Sequence, residues 1–425
     1  MFTTPRDQTM DSVQSPAEQQ AISSIPKAST TLFFALLVGV AVLPLFASQA
    51  MIDSLDTSLH LGTWTSLVTA LTLLGYAVGL IGLVPLVDRL PIRILAGTTL
   101  VVQLVALILA TCVTSPGPFL VVSFVIGVAS STIQMLIPAA AALTGPALRG
   151  KVIGNVMSGL MIGILLSRPL ASYANGTIGW RGFYLGDAML LATALILALP
   201  RIPDLRPSGK PSYLSLIASM GKLIVETPAL QHRALCQGLL MAGFNAFWTS
   251  VAVVLYRPPF GLHAAQIALF ALAGAGSVIV APLAGQAGDR GHANLISVGA
   301  HFIALIGACF AICALNSALS SNMAVVTLAV AACLIDGAVI AEQTIGRRAI
   351  NLLAPETRGR LNGLFTGLFF IGSACGAACA GPVYAKWGWV GVCALAGAFF
   401  LAAGFVHQLF LFKQRAARHH SICVE

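Results

Sequence analysis

The chain has 425 residues, of which 57% are hydrophobic and only 9% charged, with a mean hydropathy of +0.90. A water-soluble protein of that length cannot cover its surface with so few charges, so a soluble fold is excluded. The net charge of +9 would suit nucleic acid, but the basic residues stand singly between apolar runs, a membrane-topology pattern that excludes a nucleic-acid-binding stripe.

Residues 1–30 are polar and rich in Ser, Thr, Gln and Pro, without the layout of a signal peptide, and read as a disordered cytoplasmic tail. A helix crossing a hydrocarbon core of ~30 Å needs about 20 apolar residues. On that criterion spans one to twelve fall at 31–52, 64–87, 93–113, 117–141, 152–175, 182–200, 233–256, 264–287, 294–315, 322–344, 361–384 and 388–412. The expected fold is an all-α membrane protein of two pseudo-symmetric six-helix bundles, 31–200 and 233–412. A cytoplasmic linker, 201–232, joins them, and a cytoplasmic tail, 413–425, ends the chain. The linker carries Arg201, Arg206, Lys210 and Lys222 among Pro203, Pro207 and Pro211.

Nineteen of the 23 Lys and Arg residues fall on the side of the termini, whereas Arg181, Arg257 and Lys386 fall opposite and Arg168 lies inside span five. That bias puts both termini in the cytoplasm of a multi-pass inner-membrane protein. A shift of 209 residues superposes two segments without a gap. It sets Pro146, Arg149, Gly150 and Lys151 on Pro355, Arg358, Gly359 and Arg360. It also sets Gln134 on Gln343, Gly163 on Gly372, and Gly179-Trp180 on Gly388-Trp389. Asp88-Arg89 and Asp289-Arg290 recur after spans two and eight. Parallel six-helix repeats are an architecture of secondary transporters, whose substrate sites lie near the midplane between the halves.

Several segments carry a resemblance. The loop Leu86-Val87-Asp88-Arg89-Leu90-Pro91-Ile92-Arg93 is similar to the signature loop of the major facilitator superfamily. Gln134 to Pro138, Gly163 to Arg168, Gly179-Trp180-Arg181, Phe247-Trp248-Thr249 and Asp336-Gly337 resemble its bacterial twelve-span drug:proton antiporters. The resemblance covers the chain after residue 30. It implies alternating access and proton-coupled efflux, without a cofactor and as a monomer in the lipid bilayer. Two departures weaken the markers of antiport. Residues 117–141 carry no charge where that group often has an Arg, and Ser167-Arg168-Pro169 stands where span five usually has Gly-Pro.

Charges inside apolar runs are the sharpest site signals, because each costs roughly 2.5–3.5 kcal/mol on insertion scales and needs a cavity or a partner. Asp336 is the candidate proton carrier and Arg168 a fixed charge for substrate or for Asp336, with a purely structural ion pair as the alternative. Asp187 and Glu342, nearer span ends, are further proton candidates. Gln237, Met241, Asn245, Trp248 and Thr249 share one face of span seven and are expected to line the substrate path, as are Gln134 and Gln343; helix packing explains them almost as well. Asp88, Arg89, Arg93, Asp289 and Arg290 are expected to latch one conformation, or else serve only as topology determinants.

Cys309/Cys313 and Cys375/Cys379 admit a metal or disulfide reading, and the tail His419-His420 with Cys423 a metal reading, but small apolar residues in a bilayer explain the cysteine pairs better, and no metal is expected. No GxxxxGK[ST] loop or catalytic triad occurs, so neither an ATP-driven pump nor an enzyme is expected. The leading expectation is efflux of amphiphilic small molecules, drugs or secreted metabolites such as a siderophore. An importer, or a sensor that keeps the carrier fold, remains open.

Overall fold

Inside a bilayer no water satisfies backbone N–H and C=O groups, so a chain this apolar must pair them within helices. The structure, a computed structural model, describes residues 28–145, 148–204, 212–315, 319–353 and 358–422, and its regular elements are all helical among these. The expected N-terminal tail, and the Pro146/Pro355 pair of the repeat, lie outside them apart from residues 28–30.

Span one is α1 (Ala28–Ala50), followed by a short α2 (Ile52–Leu59). Span two is α3 (Thr65–Gly82), extended by 3-10 turns at Gly62–Trp64 and Val84–Asp88, and span three is α4 (Ile92–Cys112). Span four is broken into α5 (Pro116–Ser130) and α6 (Thr132–Ala142). Spans five and six are α7 (Arg149–Thr177) and α8 (Gly179–Ala198). The linker is not featureless: it contains α9 (Tyr213–Glu226), which buries Leu216 and Met220 and whose Tyr213 hydroxyl donates to the Gly82 carbonyl at 3.1 Å.

Span seven is α10 (Pro228–Tyr256). Span eight runs through α11 (Ala264–Ala271), a 3-10 stretch Leu272–Ile279 and α12 (Val280–Ala287). Spans nine and ten are α13 (Ala293–Cys313) and α14 (Ser321–Asn351). Spans eleven and twelve form one helical run, α15 (Arg358–Ile422), kinked at Gly388, where φ is 61°. The helix continues through 413–422, so the described part of the expected tail is helical. Ten apolar helical runs are long enough to cross a membrane, and the runs Ala264–Cys313 and Gly359–Ala416 each hold two crossings, bent at Gly291 and Gly388. Counted so, the crossings among the described residues number twelve.

The repeat is visible in the packing. Gly179 and Gly388 occupy equivalent turns with φ of 77° and 61°, a left-handed conformation that a side chain would strain. Trp180 and Trp389, which follow them, are both buried. Arg181 Nε donates to the Thr111 carbonyl at the end of span three, and Trp389 Nε1 donates to the Ala311 carbonyl at the end of span nine. Close helix approach repeats too: a Cβ on Gly163 would collide with the Gly39 carbonyl of span one, and one on Gly372 with the Gly238 carbonyl of span seven.

Two seams join the halves. Spans two and eleven touch along their length. Ser66 Oγ donates to the Ala378 carbonyl, the Tyr76 and Phe370 rings meet edge to face at 4.7 Å, and Gly367 packs against Ile81. Spans five and eight meet at the face opposite the termini, where Ser172 Oγ donates to the Ala264 carbonyl at 2.9 Å and Gly176 abuts Ala264.

Candidate functional site

The glycine face of span five decides where Arg168 goes. Gly159 and Gly163 admit the backbone of span one, so span five runs close beside it and sets Arg168 against Gln49. Arg168 Nε donates to Gln49 Oε1 at 2.8 Å, and Gln49 Nε2 donates to Asn245 Oδ1 of span seven, also at 2.8 Å. The guanidinium lies over the Trp248 ring at 4.1 Å and near the Phe244 and Phe46 rings at 5.3 and 5.4 Å. Trp248 turns its indole N–H the other way, donating to Asp336 Oδ1 at 2.8 Å. Asp336 Oδ2 lies against Gly274 of span eight, a position where a Cβ would collide with it.

The result is one polar chain through the centre of the molecule: Asn245, Gln49, Arg168, Trp248, Asp336. Arg168 and Asp336 are 8% and 7% exposed, so each charge depends on these partners. A desolvated cation over an indole face is worth about 2 kcal/mol, and a hydrogen bond to a charged group about 1.5–3 kcal/mol. The direct ion pair that the sequence left open is not formed. Trp248 stands between the two charges, with its face to the cation and its edge to the carboxylate. Since Gln49 and Arg168 belong to the first half and Asn245, Trp248 and Asp336 to the second, the chain also links the halves. A cavity of only about 10 Å³ beside Gln49, Arg168, Trp248 and Phe270 has room for no more than a single water.

A larger cavity of about 370 Å³ opens between the halves at the face opposite the termini. Asp53, Asp56 and Ser66 line it from the first half, and Thr249, Arg257 and Tyr384 from the second. Arg257 Nη2 bridges to Asp53 Oδ1 across it at 3.2 Å. Of the expected lining residues, then, Trp248 meets the small cavity and Thr249 the large one. Met241 only receives the Asn245 amide on its carbonyl, and Gln237 Nε2 contacts the Val339 carbonyl of span ten at 3.4 Å, a helix-packing role. Gln134 Nε2 reaches the Tyr76 hydroxyl at 3.4 Å, whereas Gln343 is half-buried and makes no side-chain hydrogen bond among the described residues.

The remaining proton candidates stand outside the central chain. Asp187 of span six is buried with no hydrogen-bond partner on either oxygen. Glu342 is paired: Arg233 Nη1 donates to its Oε1 at 3.1 Å and to Ser297 Oγ at 2.8 Å. The expected latch residues divide. Asp88 Oδ2 meets Arg360 Nη2 of span eleven at 3.6 Å, across the halves, and Asp289 Oδ1 accepts from Arg348 Nε at 2.7 Å, within the second half. Arg89, Arg93 and Arg290 are exposed and form no ion pair among the described residues, which fits topology determinants.

Sequence reasoning missed Gln49, inside span one, and Arg233, counted among the nineteen basic residues on the side of the termini. It also missed Arg347, whose Nε is buried without a partner near Tyr76. In each case the only available signal was a polar residue within one or two turns of a span end.

Residues 28–344 match the family model described as Major Facilitator Superfamily. The chain belongs to the major facilitator superfamily. It is 29% identical over 369 residues to the "Putative uncharacterized transporter YgaY" of Escherichia coli (strain K12), covering 86% of this chain and 91% of that protein. It is 30% identical over 334 residues to the "Probable transporter SCO4007" of Streptomyces coelicolor, covering 77% of this chain and 74% of that one. The crystal structure of the nucleoside transporter NupG shares its fold with a TM-score of 0.68 at 16% identity, covering 89% of this chain and 99% of that one. As a superfamily member the chain is a multi-pass membrane transporter and not an enzyme. The polar chain through Arg168, Trp248 and Asp336 crosses the interface between its two halves.

Proposed function

We propose that this transporter exports amphiphilic small molecules, drugs or secreted metabolites such as a siderophore, in exchange for protons entering through Asp336. The observation that supports the reading is the buried Asp336 carboxylate, tied through the Trp248 indole to Arg168 on the other half. Arg168 keeps its charge at every working pH. Asp336 can gain and lose a proton, and a neutral carboxyl holds the indole N–H about half as strongly as a carboxylate does. Protonation therefore loosens Trp248, whose face is the platform for Arg168, and with it the contact between halves. A substrate with an aromatic face or an anionic group competes for the same two partners, Trp248 and Arg168. Proton and substrate then act on one joint, which is what coupling by alternating access requires. In exchange mode, protons running inward down their gradient carry the substrate outward.

The absence of charge in span four supports a second reading, a symporter that imports a small organic solute. One experiment addresses both. Purified protein in proteoliposomes with an internal pH dye is challenged with amphiphilic compounds, wild type beside Asp336→Asn. Counter-directed proton and substrate fluxes, lost in the variant, are expected for the exporter; parallel fluxes indicate the importer. Concentrative, pH-dependent transport by Asp336→Asn would end the proton-carrier assignment. Binding without flux in either protein would point to a uniporter or a sensor.

A further inference from the structure

His232 lies sixteen residues before Trp248 on span seven, about 24 Å along the helix at ~1.5 Å per residue. One turn later on the same face comes Cys236, and His407 of span twelve faces both. One ligand atom from each of the three residues lies within 4.8 Å of the others, and all three side chains are buried. His407 Nδ1 and His232 Nε2 are 3.1 Å apart. The other nitrogens of these rings, His232 Nδ1 and His407 Nε2, have no hydrogen-bond partner. Neither does either nitrogen of His301 on span nine, whose ring is centred 5.6 Å from that of His407.

The two facing nitrogens, His232 Nε2 and His407 Nδ1, converge beside the Cys236 thiol in a buried helix interface, where two imidazoles can share only one proton between them. The donor set says what would bind there. Imidazole and thiolate without a carboxylate reject Mg(II) and Ca(II) and favour borderline or soft cations such as Zn(II), which takes His nitrogen at about 2.0–2.1 Å and Cys sulfur at about 2.3 Å in a tetrahedron. Tetrahedral donors at those bond lengths sit roughly 3.3–3.8 Å apart. The two histidine nitrogens are 3.1 Å apart and all three donors lie within 4.8 Å of one another, so small side-chain shifts bring them to that spacing. The His232 ring is stacked on Phe410 at 3.8 Å and 7°, which holds its plane. The Cys236 thiol has only a 3.7 Å contact with the Ala403 carbonyl to give up. His301, with its ring centred 5.6 Å from that of His407, lies next to the three-residue group and not within it. Glu342 and Arg233, paired at 3.1 Å next to the cluster, offset each other's charge.

We infer that His232, Cys236 and His407 form a binding site for a Zn(II)-like transition-metal cation that fastens span seven to span twelve. The inference does not depend on transport direction or coupling ion. Full-length protein in detergent, stripped with a chelator, is titrated with Co(II) as a spectroscopic stand-in for Zn(II). The expected result is one equivalent bound, with tetrahedral d–d bands and a thiolate-to-cobalt charge-transfer band, displaced by Zn(II). Cys236→Ser, nearly isosteric, loses the charge-transfer band, and His407→Gln weakens binding by about tenfold or more. A tail variant, His419→Ala/His420→Ala/Cys423→Ser, leaves both signals unchanged. No cobalt spectrum in the wild type, a charge-transfer band that survives Cys236→Ser, or loss of the signals in the tail variant overturns the inference. If His407→Gln does not fold, the Cys236→Ser spectrum decides.

Discussion

Replacing Glu342 with Ala removes one partner of the most deeply buried ion pair among the described residues and leaves Arg233 stranded. Glu342 is fully buried and the Arg233 side chain is 10% exposed, with 3.1 Å between their charged atoms. At an effective dielectric constant of ~20, that distance corresponds to roughly 5 kcal/mol of attraction. Taking two ions out of water costs several kcal/mol each, so the pair as a whole is close to neutral relative to apolar residues of the same shape. Removing one partner is different, because the desolvation of the other is no longer offset; such losses run to about 3–5 kcal/mol. With each kcal/mol worth about 2–4 °C in a unit the size of one six-helix half, Glu342→Ala should lower the thermal midpoint by roughly 6–20 °C. The fluorescence of the five tryptophans during heating in detergent reports it. Glu342→Gln, which keeps an acceptor for Arg233, should fall between Ala and wild type. The double variant Arg233→Met/Glu342→Leu should recover most of the loss. A midpoint for Glu342→Ala equal to wild type, or a double variant as low as the sum of the two singles, would refute the reasoning.

Gly376 of span eleven packs so close to the Ala242 carbonyl of span seven that a Cβ would collide with backbone, whereas one on Gly363 would meet nothing within 4 Å. Gly376→Ala should therefore cost about 1–3 kcal/mol by overpacking, while Gly363→Ala should gain about 0.8–1 kcal/mol of helix propensity; opposite shifts in the same melting assay are expected. The Asp53–Arg257 bridge is half in solvent and worth less than about 1 kcal/mol, so Asp53→Asn should leave the midpoint unchanged. In a cysteine-free background, however, it should raise the rate at which a thiol placed by Thr249→Cys reacts with a polar reagent, because the bridge spans the cavity that Thr249 lines; an unaltered rate would exclude a closing role.

What could be read from the sequence was whatever repeats or must be paired. The 209-residue shift located turns whose glycines share a left-handed conformation, because the same backbone requirement was met twice. Arg168 and Asp336 stood out because a charge in hydrocarbon needs a partner, and they do meet in one polar chain, though through Trp248. That indirect join was not legible: spacing along span seven put Trp248 on a face with Asn245 but could not say that its two sides would serve two charges. Gln49 was hidden for a similar reason. Its role is fixed by how tightly span five approaches span one, and so by Gly159 and Gly163 more than by its own neighbours. The histidine cluster draws on spans seven, nine and twelve, which no linear motif joins. The helical linker segment 213–226 was obscured by the prolines before it.

The unequal seams between the halves bear on the route by which a cargo of the proposed class would enter. Spans two and eleven are zipped from one face to the other, whereas the packing of span five against span eight is concentrated in residues 264–279 of span eight. Over the first half of span five, burial is limited to Val152, Val156, Leu160 and Gly163, the side turned toward span one. The two seams are thus unequal: one runs the depth of the molecule, and the other is confined to the face opposite the termini. For a cargo of the proposed amphiphilic class, an approach from among the lipid tails would make its partition coefficient, and not its aqueous concentration, set occupancy of the site.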